Sequence, residues 1–105
     1  MFDFSKWRQW LVRTAALSVA EGFKAEFKLG SNESAKPGMT FGIIGVNAMG
    51  SFESWITGEV DYTIMTPPSA EARMVSHKWM QLLTDDTFEA TFNEFMAEFL
   101  KYENP

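Results

Sequence analysis

Between residues 3 and 21, Phe4, Trp7, Leu11, Ala15 and Val19 recur at steps of three and four, the spacing that aligns one face of an α-helix. Asp3 or Ser5 supplies a capping oxygen at its start, and Gly22 stands where helices commonly stop. Trp10, Val12 and Leu17 fall off the stripe, so the helix has a broad buried face or some exposed apolar surface, core packing being the ordinary reading. Past Gly22 the period becomes two. Phe23, Ala25, Phe27 and Leu29 alternate with Lys24, Glu26 and Lys28, as in a half-buried strand. Residues 30–38, GSNESAKPG, have turn chemistry and no apolar anchor, and Pro37 biases Lys36 away from helix, so a mobile loop is expected. Residues 39–47 are apolar at both parities and include Ile43, Ile44 and Val46, which predicts an interior strand partly covered on both faces.

Residues 50–57 and 59–66 form the clearest hairpin, with Gly58 as the turn residue. A loop of Ile56, Thr57 and Gly58 aligns Phe52 and Ser54 with Val60, Tyr62 and Ile64, leaving Glu53, Trp55, Glu59 and Asp61 on the opposite face. A loop of Thr57 and Gly58 alone would mix apolar with acidic residues, so the first register is preferred. Residues 67–83 are ambiguous: Ser69 could cap a helix with Val75, Trp79 and Leu83 on one face, or residues 71–80 could form another strand. From Asp86 the helical period returns. Asp86 and Glu89 read as a capping pair, and Phe88, Phe92, Phe95, Met96 and Phe99 follow as an apolar stripe running to about Tyr102. The pattern predicts one α+β domain over residues 1–105: an antiparallel β-meander of four to five strands with an N-terminal and a C-terminal helix packed on one face.

The chain has 105 residues, 46% of them hydrophobic, which suits one packed domain and not a disordered tail. A formal charge of -5 argues against a non-specific nucleic-acid binder and favours a basic partner. With no cysteine there is neither a disulfide framework nor a thiolate zinc site, which points to the cytoplasm. The opening MFDFSKWRQW alternates apolar and charged side chains, unlike a signal peptide, and no stretch approaches the ~20 apolar residues of a membrane span. No membrane association is expected.

Candidate chemistry is sparse. Gly42 and Gly45 invite a phosphate-loop reading, but neither GxGxxG nor GxxxxGK[ST] occurs, and bulges or close backbone approach explain them better. His77 is the only histidine. Without a second histidine or a metal-ligand spacing it reads as a surface or cross-strand residue rather than a ligand or a base. Asp85 and Asp86 lack a calcium-loop pattern and suit a helix start. No catalytic set, metal or cofactor is expected. The phenylalanine row of the last helix supplies half of a small core. Glu53, Trp55, Glu59 and Asp61 are left: carboxylates opposite one another across strands repel, by up to ~1 kcal/mol per pair. A solvated sheet face would accommodate them. Trp55 adds a binding reading, because a large aromatic beside carboxylates resembles an interface anchor.

The order FSKWRQWL, Gly22-Phe23 opening a strand, SWITGEVDYTI at residues 54–64 and the closing TFEATFNEFMAEFL resembles the TriTu-type immunity proteins of bacterial polymorphic toxin systems. Its most specific part is the W-x-T-G-E-x-D core at residues 55–61. The resemblance implies a small α+β protein made in the cytoplasm beside an Rhs-type toxin of type VI secretion, which it binds and neutralises. The toxin domain so implied is an ADP-ribosyltransferase that uses NAD to modify elongation factor Tu. The resemblance also implies that residues 71–80 form a strand. On this reading the partner is that toxin domain, and the candidate toxin-binding residues are Glu53, Trp55, Glu59 and Asp61. The alternatives are a small enzyme or ligand-binding domain using His77, and a structural domain that dimerises through a sheet edge or Trp10.

Overall fold

Asp3 starts the first helix, α1 (Phe4–Ala20), by accepting a hydrogen bond from the Lys6 amide at 3.1 Å. Gly22 ends it at φ +100°, a conformation that favours glycine. The computed structural model describes residues 3–30, 38–81 and 84–104. The inward face of α1 holds Trp7, Leu11, Ala15 and Ser18, while Val19 is 54% exposed, contrary to the predicted stripe. Successive steps of four drift around a helix of 3.6 residues per turn, and the step of three to Ser18 returns to the core. The Ser18 hydroxyl is satisfied by the Thr14 carbonyl at 2.9 Å, so its burial leaves no orphaned donor.

Five strands follow: β1 (Lys24–Leu29), β2 (Gly38–Ile44), β3 (Met49–Trp55), β4 (Val60–Thr66) and β5 (Arg73–Met80). They form one antiparallel sheet in chain order, followed by α2 (Asp85–Glu103), giving the α+β class expected. The ambiguous segment contributes β5, a strand and not a helix. Most of the expected loop, residues 31–37, lies outside the described residues. The hairpin register is the preferred one: Phe52 faces Tyr62 and Ser54 faces Val60. Gly58 adopts φ +86° and donates its N–H to the Trp55 carbonyl at 2.8 Å.

Both helices pack on one face of the sheet, α1 over β1 and β2, α2 over β3 and β4. The α2 N-cap is Thr84, whose N–H donates to Thr87 Oγ1 at 3.1 Å; this replaces the expected Asp86–Glu89 pair. Asp85 and Asp86 instead occupy the first turn, where carboxylates complement the helix dipole. Phe88, Phe92, Phe95 and Phe99 are buried as predicted. Phe92 lies 5.1 Å between centroids from both Phe41 and Phe52, and Trp7 stacks on Phe88 at 4.5 Å. Gly50 admits Phe95 to the sheet, for a Cβ there would sit 2.8 Å from its ring.

Three carboxylates at nine-residue intervals fix α2. Asp85 accepts from the Asp3 amide and Trp7 Nε1, both at 2.8 Å. Glu94 accepts from the Tyr62 hydroxyl at 2.8 Å and from Lys78 Nζ at 2.9 Å. Glu103 accepts from the amides of Val46, Asn47 and Ala48 at 2.9, 2.7 and 3.0 Å, closing the β2–β3 turn. Gly45 is a close approach of the kind expected: a Cβ there would collide with the Glu103 carboxylate. Burial alone would raise the Glu103 pKa, but the Asn47, Val46 and Ala48 amides together outweigh it and hold the group below its ordinary 4.5. Lys78 first, then Tyr62, lowers Glu94 in the same way.

Because these pKa values are lower folded than unfolded, the unfolded chain binds more protons in acid, and the stability they contribute is present above about pH 4.5 and lost as pH falls through the folded values. Thermal melts should therefore move steadily downward on acidification below about pH 4.5. Glu103→Gln should flatten that slope, and Glu103→Ala should cost about 2 kcal/mol at neutral pH by orphaning the turn amides. Parallel acid slopes in wild type and Glu103→Gln would refute the assignment.

Candidate functional site

The face of the sheet away from the helices is uncovered among the described residues, and pleating divides it into cross-strand rows. One row runs Lys28, Thr40, Glu53, Asp61, Trp79. The next runs Glu26, Gly42, Ser51, Thr63, His77, and a third Lys24, Ile44, Met49, Met65, Met74. The expectation that residues 39–47 are partly covered on both faces is thus corrected: Ile44 is 44% exposed, and the strand stops there because Gly45 and Val46 enter the turn that Glu103 holds.

Glu53 and Asp61 are direct neighbours across β3 and β4. Asp61 faces His77, whose Nε2 lies 2.6 Å from its Oδ1 without hydrogen-bond alignment, so that buried oxygen has no hydrogen-bond partner among the described residues. Glu53 has no ion pair or hydrogen bond among the described residues. Glu59 precedes β4, and its carboxylate accepts from the Thr57 hydroxyl at 3.1 Å, so it belongs to the turn rather than to the middle of the face. Trp55 lies across Gly38: a Cβ on that glycine would sit 2.9 Å from the indole Cδ1. Much of its surface is therefore spent covering β2, a structural task the sequence reading did not assign to it. Glu53, Trp55 and Asp61 share the predicted side of the hairpin, with Glu53 and Asp61 at its centre, while Glu59 stands in the turn.

Two residues missing from the predicted set complete the acidic end. Trp79, 51% exposed, sits opposite Asp61, and His77 sits opposite Thr63. Their alternation in VSHKW was visible, but a register shift between Ile64 and Met65 sets which parity faces out. Toward β1 and the β2–β3 turn the face hollows into an open trough of about 450 Å³, with Gly42, Ile44, Met49, Ser51, Thr63 and Met65 among its lining residues. On the helix side, Arg8 and Arg13 border a second hollow beside Val12 and Leu29. Among the described residues, no group of three or more His, Asp or Glu side chains is placed to hold a metal ion, and no helix is long and apolar enough to cross a membrane. Chemically, the open face can attract a cation at Glu53 and Asp61 and bury apolar groups beside it.

No protein-family model, curated protein or solved structure matches this chain.

The two tryptophans separate fold from surface. Trp55→Ala should lower stability by about 1 kcal/mol or more, since it bares Gly38 and removes a cross-strand contact. Trp79→Ala should stay within about 0.5 kcal/mol of wild type. Urea unfolding followed by circular dichroism tests both, and equal losses would show that Trp79 is a packing residue after all.

Proposed function

We propose that this protein is an immunity protein that binds and neutralises an ADP-ribosyltransferase toxin domain in the cytoplasm, covering the toxin's NAD or substrate cleft without reacting itself. The observation that carries the reading is the pairing of Glu53 with Asp61 on an uncovered sheet face, flanked by the half-exposed Trp79. Like charges side by side repel, and a basic surface docking there relieves the repulsion. A nucleotide-handling cleft supplies such a surface, because it must attract phosphates. The resemblance of SWITGEVDYTI to the TriTu-type immunity proteins names the toxin class. An interface of standard size takes roughly 800 Å² from each partner, a modest share of the 6344 Å² this chain exposes.

The edge strand supports a second reading, a structural dimer. β5 exposes Met74, Val75 and Trp79, which two copies could bury against each other. Light scattering separates it: a monomer at micromolar concentration removes this alternative.

Co-expression with the toxin domain should restore growth and yield a co-purifying complex; a toxin that still kills and is not retained would sink the proposal. Reversing Glu53, Glu59 and Asp61 to Lys should slow association at least tenfold at low salt and make the remaining binding less salt-sensitive, since charge steering acts mainly on the on-rate. Of the three, Glu59→Lys should contribute least.

A further inference from the structure

Gly42 lies in the interior of β2, between β1 and β3, where glycine weakens a strand relative to alanine. Nothing in the fold requires it. Its φ is not positive, and a Cβ there would meet only Glu26 Cγ at 3.7 Å and the Gly50 carbonyl oxygen at 4.0 Å, ordinary contacts. Gly45 and Gly50 differ, because Glu103 and Phe95 occupy the space a side chain would need. What the missing side chain at Gly42 does is leave the trough open among Ile44, Met49 and Met65. The methionines flanking it are adaptable and polarisable, suited to closing around an incoming group.

Charge orients what enters. Lys24 and Lys28 stand on the β1 rim, with Lys28 paired to Glu26 at 3.4 Å, so a cation is discouraged there. It is favoured at Glu53 and Asp61, which sit two residues along and one or two strands across from Gly42, roughly 7–13 Å at ~3.3 Å per residue and ~4.8 Å per strand; Thr40, which faces Glu53, is part of the trough lining. We infer that Gly42 is a receptor position: the toxin domain seats one apolar side chain in the trough over Gly42 while a lysine or arginine roughly 7–13 Å away on the same surface reaches Glu53 and Asp61. This deepens the proposed function and rests on it.

The test uses the protein and a purified ADP-ribosyltransferase toxin domain of the class that the proposed function names. Gly42→Val should raise or preserve the melting temperature, since a β-branched residue suits an interior strand, yet weaken toxin binding at least tenfold by calorimetry, mainly through faster dissociation. Gly42→Ala should act in the same direction more weakly, which keeps the test usable if the valine variant folds poorly. With methionine methyl groups labelled, Met49 and Met65 should be among the resonances that shift on binding. Wild-type affinity in a folded Gly42→Val or Gly42→Ala, or unmoved Met49 and Met65 signals, overturns the inference and leaves the immunity reading standing. Failure of the wild-type chain to bind the toxin domain overturns both.

Discussion

The seating of α2 on the sheet is the constraint on which the other elements depend. Its phenylalanines supply four of the eight buried aromatic side chains among the described residues, but burial is non-directional, and a stripe of rings alone would tolerate sliding and rotation. Direction comes from Asp85, Glu94 and Glu103. Nine residues are about two and a half turns, so each successive carboxylate emerges on the opposite flank of the stripe. One flank holds Trp7 at its start and the β2–β3 turn at its end; the other holds Tyr62 and Lys78 on the last two strands. Charged acceptors bonded to fixed donors are directional and stronger than neutral pairs. The helix is therefore positioned along its length, and with it α1, whose Trp7 and Trp10 meet Phe88 and Phe92.

These ties explain which features were legible in the sequence. Helix periods and the separation of apolar from acidic residues in the hairpin are local, and they predicted α1, β1, α2 and the pairing of Phe52 with Tyr62. The anchors are not local: Asp85 reaches 82 residues back to Asp3, and Glu103 lies 56 residues from Asn47. In a stripe diagram they look like ordinary solvent-facing acids or caps. Ser18 displaced Val19 because a straight stripe ignores helical drift. The outward parity of β5 followed from a bulge, and a single residue of register reverses every side chain. For the candidate site, the hairpin residues were visible and Trp79 and Gly42 were not, since their importance comes from what lies across the strand.

The two faces of the sheet obey different rules, and the contrast supports a binding role for the open one. On the helix side most unusual residues have a reason within the fold: Gly50 admits Phe95, Gly45 admits Glu103, and the Tyr62 hydroxyl is met by Glu94, while the buried Ser54 hydroxyl is left without a hydrogen-bond partner among the described residues. On the open side several unfavourable choices stand together without such a reason, namely Glu53 beside Asp61, a half-exposed Trp79 and an interior-strand glycine with room above it. A surface chosen only for solubility would disperse charges of both signs and cover a large aromatic with polar neighbours. Repelling carboxylates, exposed indole and vacant glycine all become favourable under one condition: a partner that brings positive charge and apolar bulk together. Local defects that share a single remedy are expected of an interface, because natural sequences depart from local consistency mainly where function requires it.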